Sequence, residues 1–199
     1  TITVTEPEEI ALNTTKNISD ISAFGVASYK FIPEKDGTYV FYSFDNDCDT
    51  YGYVFNSDTE EIDHNDDAGN NNNFSIKFNA EAGEVYYLSA RRYNQDSDGG
   101  YSICVKEYVE ATEIKLTAEA TEGKPGKRIK ITGTLLPENA DANVSWSVSD
   151  ENIIEIWEIF NNEEEGKGCI IQLKKEGTAT VTARTDGGLS TTCTITVES

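Results

Sequence analysis

Alternation with a period of two constrains this chain more than any other feature. Apolar and polar residues trade places in short runs, and clusters of Gly, Asn and Asp interrupt them every eight to a dozen positions. Successive side chains of a strand point to opposite faces, so each run buries one face and wets the other. Short strands separated by turn chemistry at that interval build sandwiches or barrels. The ten Tyr and eight Phe, with many Thr, Val and Ile, suit the same pleated, half-buried surfaces.

The pattern predicts strands near Ser28–Ile32, Thr38–Ser43, Tyr51–Phe55, Phe74–Phe78, Val85–Ala90 and Tyr101–Lys106. Tyr39, Phe41 and Ser43 fall on one face and Val40 and Tyr42 on the other. Tyr101, Ile103 and Val105 face the core, which turns Cys104 away from it. A boundary falls near Val109–Ala111, where aromatics thin out, so the predicted domains are 1–109 and 110–199. Each has the size of an ordinary small domain. The second half predicts strands at Glu113–Ala118, Arg128–Leu135, Asn143–Val148, Ile153–Glu158, Cys169–Leu173, Thr178–Arg184 and Thr191–Val197. Seven strands in about 90 residues is an immunoglobulin-like count. Glu163, Glu164 and Glu165 read as a solvated loop tip. The opening Thr1-Ile2-Thr3-Val4 echoes the closing Thr194-Ile195-Thr196-Val197. Residues 1–6 are therefore expected to end a preceding copy of the second domain in a tandem array, unless the echo is chance in a Thr-rich β protein.

The formal charge of −20 leaves no basic stripe for nucleic acid or an anionic membrane surface. Residues 1–109 hold 20 acids and 7 bases, and 110–199 hold 16 and 9, so carboxylates crowd the first half. No apolar run approaches the roughly 20 residues of a membrane helix. With no initiator Met and no leader-like start, the chain reads as an excised, monomeric segment of something longer. No Gly-x-Ser-x-Gly elbow, zinc-binding His pair or phosphate loop is present. The lone His64 reads as a solvated loop residue, and the chain is expected to be no enzyme.

Three constellations remain. Asp45, Asp47 and Asp49 alternate, and Asp63, Asn65 and Asp67 alternate again before Gly69. Such oxygen-rich turns can wrap calcium, although neither supplies the closing Glu of an EF-hand; Asp and Asn are equally ordinary turn formers. Asp96-Ser97-Asp98-Gly99 is a weaker version. Tyr51, Tyr53 and Tyr93, with Tyr86, Tyr87, Tyr101 and Tyr108, exceed what one small core needs. They are expected to stack on sugars or engage a protein partner, or simply to pair across strands. Four cysteines divide two and two, and Cys48–Cys104 and Cys169–Cys193 bridges would contribute roughly 4 and 3.5 kcal/mol by loop closure. Buried free thiols are the alternative.

Residues 110–199 resemble the group 2 bacterial immunoglobulin-like domain. The resemblance is carried by Ile114, Leu116, Gly126, Pro137 in "LLPENA", Val144 to Asp150, Ile153 to Ile156, "KKEGTATVTA" at 174–183 and the closing "TTCTITV". Residues of about 10–108 more loosely resemble the bacterial pre-peptidase C-terminal domain. They do so through "YKFIPEKDGTYVFYS" (29–43), "DTYGYVFNS" (49–57), "NDDAGNNNNFSIKF" (65–78), "AGEVYYLSA" (82–90) and "GGYSICV" (99–105). The resemblances imply an all-β chain of two tandem β-sandwich domains, the first jelly-roll-like and the second immunoglobulin-like. They imply an extracellular, secreted or surface-attached segment that displays ligands or adheres to polysaccharide or to host or matrix protein. The immunoglobulin-like domain then acts as a spacer. An ancillary module of a secreted hydrolase is the other reading, and some members of the first family coordinate calcium.

Overall fold

The computed structural model describes residues 6–19, 25–68, 72–94, 98–162 and 166–199. The Thr1–Val4 echo, Gly69, Asp96, Ser97 and Glu163–Glu165 lie outside them. The chain divides into two compact units, 1–108 and 109–199, one residue from the expected boundary.

Unit 1 contains β1 (Glu8–Glu9), β2 (Lys16–Ile18), β3 (Ala27–Phe31), β4 (Gly37–Phe44), β5 (Thr50–Phe55), β6 (Glu61–Asn65), β7 (Ser75–Ala80), β8 (Tyr86–Arg92) and β9 (Tyr101–Glu107). One sheet has the order β2-β9-β4-β7 and the other β1-β3-β8-β5-β6. Setting aside the short parallel edge strand β1, the two orders 2-9-4-7 and 3-8-5-6 are those of a jelly roll, eight strands wound as two Greek keys. The inward sides follow the alternation. Tyr39, Phe41 and Ser43 of β4 are buried, and Phe31 meets Tyr39 edge to face at 5.2 Å. β6 was not expected as a strand. Its polar Asp63-His64-Asn65 composition hides it, because an edge strand can be wet on both faces.

The polar core residues are paired. Ser43 and Thr50 share a hydrogen bond of 2.7 Å between their hydroxyls, and the Phe74 amide donates to Ser43 Oγ at 3.1 Å. Thr50 donates to the Asn72 carbonyl at 3.0 Å. These bonds pin the β4–β5 turn to the segment that enters β7.

Unit 2 contains β10 (Glu113–Ala118), β11 (Glu122–Gly123), β12 (Arg128–Leu136), β13 (Val144–Val148), β14 (Ile154–Asn162), β15 (Gly166–Leu173), β16 (Gly177–Thr185) and β17 (Ser190–Val197). The sheets run β10-β12-β15-β14 and β11-β17-β16-β13. With β11 as a split-off part of the first strand, these are the two sheets of an immunoglobulin fold. The pairing of β11 with β17 is parallel. Trp146 on β13 is buried, and a Cβ on Gly133 would touch its ring at 3.3 Å. A register shift between Ile156 and Glu158 makes Trp157 the extra residue of a β-bulge.

Candidate functional site

The outer face of the β1-β3-β8-β5-β6 sheet gathers the aromatic residues that the core does not use. Along β5, Thr50, Gly52 and Val54 are buried, while Tyr51, Tyr53 and Phe55 are only half-buried and so face outward. Cross-strand register sets Tyr51 opposite Arg91, Tyr53 opposite Ser89, and Phe55 opposite Tyr87. On the other flank His64 of β6 lies opposite Tyr53.

The rings form a continuous ladder. Phe55 and Tyr53 stack at 5.9 Å and 16°, Tyr51 and Tyr93 stack at 6.0 Å and 22°, and Tyr53 meets Tyr51 tilted at 4.7 Å and 33°. His64 stacks on Tyr51 at 5.7 Å, and its Nδ1 lies 2.7 Å from Glu61 Oε1. Arg91 locks the arrangement. Its guanidinium carbon sits 4.5 Å from the Tyr51 ring centroid, and its Nη2 donates to Tyr53 Oη at 3.0 Å. Nη1 donates to the carbonyls of Arg92 at 2.9 Å and Tyr93 at 3.0 Å. Burial among these neighbours raises the Tyr51 hydroxyl above its ordinary pKa; the nearby Tyr53 hydroxyl and Asp66 act the same way, and Arg91 opposes them.

Rings stacked on one another have spent their faces on each other. What the ladder offers most to solvent is Tyr93, which is 51% exposed, beside the half-buried Tyr51, Tyr53 and Phe55. Of the expected binding residues, Tyr51, Tyr53 and Tyr93 therefore meet in one surface. Tyr86 and Tyr101 do not, because both are buried. Phe55, His64 and Arg91 were not anticipated. The Tyr-x-Tyr-x-Phe spacing on one strand was a readable signal for Phe55. His64 and Arg91 depend on register between strands distant in sequence. His64 is not a loop residue, but part of β6.

The expected calcium residues do not converge. Among the described residues no group of three or more His, Cys, Asp or Glu is placed to hold one ion. Asp45 is exposed with φ at +47°, a left-handed turn position that Asp tolerates. Asp47 is exposed, and Asp63 is an exposed residue of β6. Asn65 accepts from the Ser75 amide at 3.0 Å, so its oxygen closes a turn. Only Asp49 and Asp67, with Asp66, are neighbours. Burial first, then Asp67 and Asp66, raise the Asp49 carboxyl, and its enclosed Oδ1 has no hydrogen-bond partner among the described residues.

All four cysteines are free thiols. Cys48 packs against the unit 1 core. Cys104 lies on the opposite face of its sheet, beside Tyr42, its register partner; strand alternation thus separates the pair that was expected to bridge. Cys169 on β15 and Cys193 on β17 face the unit 2 core from opposite sheets and are unbonded. Burial pushes the Cys169 thiol up to about 12, with Cys193 adding to it.

Among solved structures, the chain is similar to the pre-peptidase C-terminal domain of a collagenase from Bacillus anthracis. The two are 24% identical over 53% of this chain and the whole of that one, with a TM-score of 0.44. No protein-family model matches the chain. No curated protein matches it.

Proposed function

We propose that this chain is a non-catalytic binding segment of a secreted or surface-attached bacterial protein, with unit 1 as the binding head and unit 2 as its support. The Tyr51–Tyr53–Phe55–Tyr93 ladder carries this reading. Solvent-facing aromatic residues held by an arginine are the usual composition of binding hot spots. Because the Tyr51 and Tyr53 rings are already packed against neighbouring rings and Arg91, the ladder favours a protein partner over stacked sugars. The resemblance of the two halves to pre-peptidase C-terminal and group 2 immunoglobulin-like domains agrees with an extracellular accessory role. That role is adhesion, or service to a hydrolase carried on the same protein.

The test is a binding screen of the whole chain against immobilised matrix proteins and cell-wall polysaccharides. Tyr51→Ala and Tyr93→Ala should each weaken a protein hit by about tenfold or more, roughly 1.4 kcal/mol. A hit that ignores both substitutions, or polysaccharide hits alone, would overturn the assignment of this face to a protein partner.

A further inference from the structure

A cavity of about 480 Å³ opens beside the β3–β4 turn of unit 1, among residues that the aromatic ladder does not use. The chain leaves β1, on one sheet, and crosses to β2, on the other. Two backbone bonds hold this crossing in place. The Ile10 amide donates to the Lys30 carbonyl at 2.9 Å, and the Asn13 amide to the Val105 carbonyl at 2.8 Å. The β3–β4 turn is held as well: the Tyr39 hydroxyl donates to the Lys35 carbonyl at 2.8 Å, and the Gly83 amide to the Pro33 carbonyl at 2.9 Å. The space between the two segments has a floor of Ile10, Phe31 and Tyr39, all buried. Its volume falls within the roughly 300–1,000 Å³ of ligand pockets, and both walls are fixed before a ligand arrives.

The mouth carries Glu9, Glu34 and Glu107 against a single ammonium, that of Lys35. Lys35 is taken by Glu107, Nζ to Oε2 at 2.9 Å. Lys30, the register partner of Glu9, is taken by Glu6 at 2.9 Å. Those pairings leave the exposed Glu9 and Glu34 with no ion-pair partner among the described residues. Burial, then Glu107, Asp36 and Glu34, push the Tyr39 hydroxyl above its ordinary value, and Lys35 alone opposes them. An apolar floor beneath an excess of carboxylates matches an aliphatic stem that ends in a cation. The formal charge of −20 draws such a group toward the chain.

We propose that this cavity receives a lysine or arginine side chain of a protein partner. The methylenes lie on Ile10, with the half-buried Leu12 and Ile32 beside them. The cationic head stops at the mouth, at the carboxylates of Glu34 and Glu9. Because those carboxylates are exposed, the head stays partly hydrated and each contributes only a few-fold in affinity. The site is independent of the ladder, since Tyr51, Tyr53, Phe55 and Tyr93 take no part in lining it.

The test follows the methyl resonances of Ile10, Leu12 and Ile32 in the whole chain as end-blocked glycyl-lysyl-glycine is added in about 150 mM salt. These methyls should shift saturably, with a dissociation constant on the order of 1 mM. Glu9→Gln and Glu34→Gln should each weaken binding about threefold, and together about tenfold. Glu119→Gln removes a carboxylate of unit 2 and should leave the affinity unchanged, which separates the cavity from net charge. Tyr51→Ala should bind the tripeptide as the wild type does. The same tripeptide with norleucine in place of lysine keeps the stem without the charge, and should bind at least about fivefold more weakly. n-Pentylamine should bind no more tightly than the tripeptide. No saturable shift, equal binding of the norleucine peptide, unchanged affinity in the Glu9→Gln, Glu34→Gln double variant, or a loss in Glu119→Gln or Tyr51→Ala as large as theirs would each overturn the proposal. Tighter binding of pentylamine would assign the cavity to a free amine, and would overturn it as well.

Discussion

Gly52 occupies the inward position between Tyr51 and Tyr53, and the ladder depends on how closely β5 approaches the core there. A Cβ on Gly52 would stand 2.6 Å from Cε2 and 2.7 Å from Cγ of Phe74, with Cδ2 nearer still. Ordinary carbon–carbon contact is about 3.5–4.0 Å, so roughly 1 Å of overlap must be relieved. Phe74 is fully buried and already rests on Phe41, centroid to centroid at 4.8 Å, so the ring cannot simply swing away. Overpacking of this kind costs about 1–3 kcal/mol. For a unit of this size each kcal/mol lowers the melting midpoint by roughly 4–8 °C. Gly52→Ala should therefore lower the unit 1 transition, followed by tyrosine near-UV circular dichroism. Tryptophan emission, which belongs to unit 2 alone, should keep its midpoint. Phe74→Leu in the same background should return part of the loss, giving a double-mutant coupling of about 0.5 kcal/mol or more. A neutral Gly52→Ala, or strictly additive effects in the cycle, would refute the packing argument.

Two further perturbations test the titrating groups. Burial raises the Cys169 thiol to about 12 in the folded unit, from an ordinary value of 9.0 in the unfolded chain. The unfolded chain therefore binds fewer protons between those values, and stability that is intact below pH 9 falls as pH rises toward 12. Denaturant midpoints of unit 2 should drop over that window, and Cys169→Ala should flatten the drop; an unchanged slope sinks the assignment. In unit 1 the enclosed Asp49 carboxyl is raised by burial and by its acidic neighbours, so its ionisation opposes folding above the ordinary carboxylate range. Asp49→Asn should stabilise unit 1 at pH 7 and lose that advantage at pH 3, while added calcium should leave the wild-type midpoint unmoved. A calcium-dependent rise of several degrees would show that Asp49, Asp66 and Asp67 hold an ion after all.

Much of this molecule could be read from alternation alone, because which residues face inward along a strand is a local property. Tyr39 with Phe41, and Ile195 with Val197, are buried as their spacing predicts. The Trp146 strand and the Gly-Thr-Ala-Thr strand marked the immunoglobulin-like half in the same local way. β6 was not legible, since an edge strand wet on both faces carries no alternating pattern. Asp63 and Asn65 likewise look like loop residues until strand pairing places them in β6.

What the tertiary structure decided was register. Arg91 lies opposite Tyr51 only because β8 pairs with β5 across the 39 residues between them, and no local pattern encodes that alignment. The same holds for Arg128 on the Trp157 ring, where a single bulged residue turns an edge-strand side chain toward a cation two strands away. Cys48, in the β4–β5 loop, packs against the unit 1 core, while alternation along β9 turns Cys104 to the other side of its sheet. The sequence by itself determined two acidic, aromatic-bearing β-sandwiches. Pairing between distant strands determined which of their spare aromatics stand together.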